Sequence, residues 1–186
     1  MLYIVLCYKH KELRFMVELE KQDFNTNKKL FTVVENMLKS GISQPIIIDH
    51  VGSTAIPNMC GKNIIDVLVG VADTAAFSSV AQDLELLGFY PSTYSKTSEY
   101  QFFASSLDET KSGDTHIHLV IQDTDRYREF IILRDYLLAH PDEATAYANH
   151  KQYLLEHFGH DRTTYRNQKS TYVTNLITKA KESCKN

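Results

Sequence analysis

The chain has 186 residues, 23 acidic and 20 basic, for a formal charge of −3, which is the length of one domain and enough to bury a core without disulfides or a structural metal. With 43% apolar and 23% charged residues, 7 Gly and 4 Pro, the composition excludes a disordered chain and a fibre. The near-neutral balance also excludes a generally basic nucleic-acid coat, so nucleic acid is not expected as a partner.

From the N-terminus, Leu2 to Cys7 is apolar but too short for a signal segment. It reads as a short strand or as part of an extension over residues 1–15. No run approaches the ~20 apolar residues of a membrane helix, so no membrane partner is expected. Cys7, Cys60 and Cys184 are odd in number and lack metal-type spacing, which suggests free thiols and a cytoplasmic location. Nothing marks an internal boundary, and residues 1–186 read as a single domain.

Leu30, Phe31, Val34, Met37 and Leu38 recur at helical spacing between Thr26 and Ser40, before Gly41. Pro45 to Val51 and Asn63 to Val71 are β-branched runs that read as buried strands. Between them, Ser53 to Cys60 has room for a helical turn or two before Pro57 limits it. Thr74 to Leu87 is a second amphipathic helix, with Gly88 after it. Within the aromatic stretch Phe89 to Gln122, Glu99–Ser105 and Thr115–Ile121 read as a hairpin joined across Asp108 to Asp114. The period then changes to 3.6, predicting helices over Asp125–Ala139, Pro141–Phe158 and Asp161 to about Lys181. Pro141 suits a first helical turn. The expected architecture is α+β: a mixed sheet flanked by helices, with a helical C-terminal part over residues 124–182.

Chemistry concentrates at His50-Val51-Gly52-Ser53-Thr54 and at Lys62-Asn63-Ile64-Ile65-Asp66-Val67. A strand that ends in Gly-Ser at a helix start offers N–H groups and a hydroxyl to an anion. Asp66 interrupts an apolar strand, and a buried carboxylate needs a cation, either a side chain or a metal. His116 and His118 share one face of their strand by the period of 2. They either hydrogen-bond within the sheet, touch a substrate, or join Asp66 as two imidazoles and one carboxylate, a set suited to a transition metal. Arg134 sits in the middle of the apolar stripe Tyr127, Phe130, Ile131, Leu137 and Leu138. It must meet an anion there, either an internal acid such as Asp66, Asp49 or Asp135, or a phosphate. Arg162, Arg166 and Lys169 follow i, i+4, i+7 spacing, as a solvated face or as a phosphate-binding stripe.

Gly52-Ser53 followed after twelve residues by Asp66 resembles the signature of the nucleotidyltransferase superfamily, in which Gly-Ser holds phosphates and strand carboxylates hold Mg²⁺. The closer resemblance is to the GrpB family of that superfamily. It rests on His50 to Pro57, Lys62 to Asp66, His116-Ile117-His118-Leu119, Leu133-Arg134-Asp135-Tyr136-Leu137, Ala139-His140-Pro141, and Tyr165 with Lys169. The resemblance implies a nucleotidyltransferase-like fold and a nucleotide or phosphorylated small molecule as partner. It also implies that Gly52, Ser53, Thr54, Lys62, Arg134 and Lys169 bind the phosphates. Asp66, His116 and His118 become the catalytic and metal-binding set, with Mg²⁺ as the cation for catalysis and Mn²⁺ or Zn²⁺ as alternatives.

One departure limits that expectation. Catalytic members of the superfamily carry a second carboxylate two residues after the first, and here that residue is Leu68. An enzyme transferring a nucleotidyl or phosphoryl group therefore stands beside a non-catalytic phosphate-binding module, with a His/Asp transition-metal hydrolase as a third reading.

Overall fold

The computed structural model describes residues 19–106 and 113–183. The expectations for residues 1–15, Leu2 to Cys7, Cys7 and Cys184 lie outside the described residues, as does most of the Asp108 to Asp114 connection. In chain order the elements are β1 (Glu20–Lys21), α1 (Phe24–Gly41), β2 (Ile47–Val51), β3 (Cys60–Gly61), β4 (Ile65–Val71) and α2 (Thr74–Leu86). They continue with β5 (Tyr90–Lys96), β6 (Tyr100–Ala104), β7 (Thr115–Ile121), α3 (Asp125–Ala139), α4 (Pro141–Phe158) and α5 (Arg162–Ser183).

Five strands form a mixed sheet in the order β2-β4-β7-β6-β5. Among the described strands only β4 and β7 run parallel, pairing Asp66 with His116 and Leu68 with His118. The β2–β4 pair is antiparallel, with Val51 opposite Asp66 and Asp49 opposite Leu68. In β6–β7, Phe102 lies opposite His118 and Ala104 opposite His116. The hairpin and the neighbouring β2 and β4 agree with the sequence reading.

Alternation along the strands divides the sheet into two faces. Val67, Val69, Ile117, Leu119 and Phe103 form one buried layer with Leu38 of α1 and Phe77, Val80 and Leu84 of α2. On the other face Val51, Leu68 and Val120 are buried beneath Tyr127, Phe130 and Ile131 of α3. Helices α3, α4 and α5 close a separate core around Tyr136, Leu137, Tyr147, Leu176 and Ala180, which also takes in Ile56 and Met59.

The helix ends follow local chemistry. The Asp23 carboxylate accepts the N–H groups of Asn25 and Thr26 at the start of α1, and the Asp73 carboxylate accepts that of Ala76 in α2. The Thr124 hydroxyl accepts from Tyr127, and Pro141 occupies the first turn of α4. Each satisfies or removes an orphan donor.

Two features differ from the sequence expectation, whereas the segment after Gly52 is a single 3₁₀ turn, Ser53–Ala55, within the turn or two expected before Pro57. Pro57 and the return of the chain into β3 cut it short. Strand β5 was not expected; Pro91 disfavours a strand except at an edge, which is where β5 lies. The two-residue β1–β3 ladder is likewise new, joining Glu20 to Gly61 and Lys21 to Cys60.

Candidate functional site

Asp66 is the first residue of β4 whose side chain leaves the core layer, and the β4–β7 register sets it beside both histidines. His116 Nδ1 donates to Asp66 Oδ1 at 3.2 Å, and His118 Nε2 lies 3.6 Å from the same oxygen. The Tyr100 hydroxyl stands 3.0 Å from His118 Nδ1, so the tautomer serving both contacts carries its proton on Nε2. Burial pushes the Asp66 carboxyl up, but hydrogen bonds from the two imidazoles outweigh it and hold the group well below the usual carboxylate range. Burial pulls the His118 imidazole down as well, because it disfavours the charged form more than Asp66 favours it, and His116 and Arg126 add to the effect. Phe102 meets His116 edge-on at 4.8 Å and Phe130 packs on His118 at 4.6 Å. The Arg126 guanidinium lies 4.9 Å from the rings of both Tyr100 and Phe130.

Gly52 reaches Asp66 from the neighbouring strand. Its φ is +71°, and a Cβ there would overlap the carboxylate, falling 2.8 Å from the Asp66 Cβ. Only glycine allows this approach.

Lys151 of α4 completes the Gly-Ser turn. Its side chain is 2% exposed, and its ammonium donates to Ser53 Oγ at 2.9 Å and to the Cys60 carbonyl. It also lies 4.8 Å from the Tyr147 ring. Burial pulls Lys151 down to about 8, with Lys169 lowering it further and Cys60 and Asp66 opposing. Lys169 is lowered by burial and by Arg166. Lys62 is lowered by burial and then by Arg162, Lys169 and Arg166. Asp66 is the acid that counters this repulsion in all three lysines.

The structure thus brings together Gly52, Ser53, Asp66, His116 and His118, with Lys62 and Lys169 in the same electrostatic field. Two expected members take other partners. The buried Thr54 hydroxyl lies 2.9 Å from His50 Nε2, and Arg134 binds Asp49 at 2.7 Å and Asp135 at 2.8 Å. Arg134 has its expected internal acids because α3 lays its apolar stripe on the sheet face that also carries Asp49.

Asp66, His116 and His118, the expected metal set, lie side by side. Among the described residues no group of three or more His, Cys, Asp or Glu is disposed to hold a metal ion. Asp66 Oδ1 already serves both imidazoles, and both His118 nitrogens face partners. The three side chains contact one another through that oxygen. Leu68 explains the departure physically: it is fully buried between Val51 and Val120, so no second carboxylate points into this site from β4.

Lys151 escaped the sequence reading, yet a trace of it was present. Ala144, Tyr147, Lys151 and Leu154 are the buried residues of α4, and their spacing puts the lysine on an apolar stripe exactly as for Arg134.

Comparison with known proteins adds the family. The chain is 32% identical over 155 residues to the glutamate-rich protein GrpB of Alkalihalophilus pseudofirmus, covering 81% of this chain and 88% of that protein. It is 28% identical over 153 residues to a UPF0157 protein of Halalkalibacterium halodurans, covering 82% and 76%. The crystal structure of the conserved protein GrpB from Enterococcus faecalis superposes with a TM-score of 0.78 at 20% identity, over 91% of this chain and all of that one. The family described as GrpB protein matches residues 17–179, and the chain belongs to it.

Proposed function

We propose that the cluster around Asp66 and Ser53 binds a phosphorylated small molecule, with nucleotides as the class to which the superfamily resemblance points. The observation that carries this reading is the surplus of positive charge around Ser53. Lys151 is buried against the Ser53 hydroxyl, and the exposed Lys62 and half-buried Lys169 are held below their ordinary range by lost hydration and by neighbouring cations. A ligand with two or more negative charges relieves that repulsion and forms charge-assisted hydrogen bonds. The three-residue turn at Ser53 is too short to act through a helix dipole, so the cations do the binding. A divalent cation, Mg²⁺ before Mn²⁺ or Zn²⁺, would enter with the phosphates and find Asp66 as its one carboxylate. The test is calorimetry with nucleoside triphosphates and pyrophosphate, with and without Mg²⁺. Binding at millimolar concentration or tighter is expected, and its absence would overturn the reading.

Group transfer is the second reading, favoured by the Asp66–His116 contact. A carboxylate on Nδ1 orients an imidazole so that Nε2 serves as general base toward an acceptor hydroxyl. Against it stands Leu68, which leaves the strand without a second metal-binding oxygen. Turnover that disappears in Asp66→Asn while the fold persists supports transfer. Binding without turnover of any nucleotide leaves a non-catalytic module.

A further inference from the structure

A concavity lies beside β2, an edge strand, between α1 and α3. Phe24, Lys28 and Phe31 line it from α1, His50 from β2, and Arg134 and Leu138 from α3, around about 330 Å³. That volume is at the lower end of small-molecule sites and exceeds a single heteroaromatic ring. Phe31 and His50 stack on one another at 4.6 Å with planes 6° apart, so the pair offers a ligand only an outer face. Burial, and then the charge of Arg134, pull the His50 imidazole down to about 4 against the opposing pull of Asp66, so the ring is neutral near pH 7.

The polar rim is a donor beside an acceptor. Arg134 uses Nε on Asp135 and Nη1 on Asp49 and the His50 carbonyl. Its remaining terminal nitrogen, Nη2, has no hydrogen-bond partner among the described residues and is not sealed from solvent. Asp135 engages Arg134 through Oδ1, and its side chain is 56% exposed. Lys28, Arg134 and Asp135 line the groove, and Asp49 outside it also pairs with Arg134, so the four charges offset one another and the groove favours a neutral ligand over an ion.

We infer that this groove binds a neutral, planar amino-heteroaromatic ring of purine size, whose ring nitrogen accepts from Arg134 and whose exocyclic amine donates to Asp135. The aromatic side chains supply stacking, and the Arg134–Asp135 pair reads the edge. The site is separate from the Asp66 cluster and needs no phosphate on its ligand.

Adenosine titrations followed by calorimetry and ligand-observed NMR test the inference, with inosine as the control that replaces the amine by a carbonyl. Adenosine should bind at millimolar concentration or tighter, and inosine roughly tenfold more weakly. Leu138→Trp alters a residue 44% exposed on the groove wall, fills the groove, and should abolish adenosine binding. Asp135→Asn should weaken it by roughly tenfold, while Lys169→Gln leaves it unchanged. Pyrophosphate should show the reverse pattern, sensitive to Lys169→Gln and indifferent to Leu138→Trp, which separates this site from the phosphate-binding cluster. Failure of adenosine to bind, equal binding of inosine, or adenosine binding that survives Leu138→Trp would overturn the inference.

Discussion

Gly52, His50 and Arg134 each carry a constraint that a single substitution can expose. Gly52→Ala places a methyl group against the Asp66 carboxylate in a left-handed backbone conformation. It should cost about 2 kcal/mol or more in urea unfolding. His50 has an acid-side signature. Its imidazole titrates at about 4 in the folded chain against an ordinary 6.5, so the unfolded state takes up a proton first as pH falls. The contribution of His50 to stability is therefore constant above pH 6.5, declines from 6.5 to 4, and levels off below. His50→Phe should flatten that part of the stability profile. Arg134→Met leaves Asp49 and Asp135 without their guanidinium. Arg134 and Asp49 are 19% and 24% exposed, so solvent screening reduces the loss to about 2 kcal/mol, below that of a fully buried pair. Pairing Arg134→Met with Asp49→Asn should recover part of the loss.

The elements divide according to how local their causes are. The helices α1 to α5 were legible because their apolar residues repeat at 3.6 and their ends carry side-chain or proline caps. The placement of both histidines beside Asp66 was legible too, since the period of 2 fixes their shared face and a hairpin fixes their strand. Strand β5 was obscured by Pro91, whose tolerance depends on an edge position that only the assembled sheet defines. Lys151 was hidden for a different reason: a lysine among polar neighbours reads as solvated until its partners Ser53 and the Cys60 carbonyl, roughly a hundred residues earlier, are known. Arg134, by contrast, announced its buried acid through its place on an apolar stripe. Leu68 is the element-level obstacle to two-metal chemistry. Leu68→Asp would place a carboxylate beneath α3 among Val51, Val120 and Phe130, and should cost about 4 kcal/mol or prevent folding, as read by chemical denaturation.

At the scale of the whole molecule, the sheet presents Asp66 and two imidazoles, and α4 and α5 bring lysines and arginines over the same end. The net charge of −3 conceals this local excess of positive charge, which the long sequence separation between Ser53 and Lys169 kept out of reach of pattern reading. Lys151 links the arrangement to pH. With its ammonium titrating at about 8 rather than 10.5, part of its charge is missing at mildly alkaline pH. A phosphate ligand restores it, so binding near pH 8 should take up protons, and affinity should fall as pH rises beyond 8. The most direct measurement is therefore isothermal calorimetry of pyrophosphate binding at pH 8 in two buffers of different ionisation enthalpy, on the unmodified protein and on Lys169→Gln. The account predicts binding at millimolar concentration or tighter, with net proton uptake, weakened by roughly tenfold or more in Lys169→Gln. No binding to the unmodified protein, or equal binding to the variant, would contradict it.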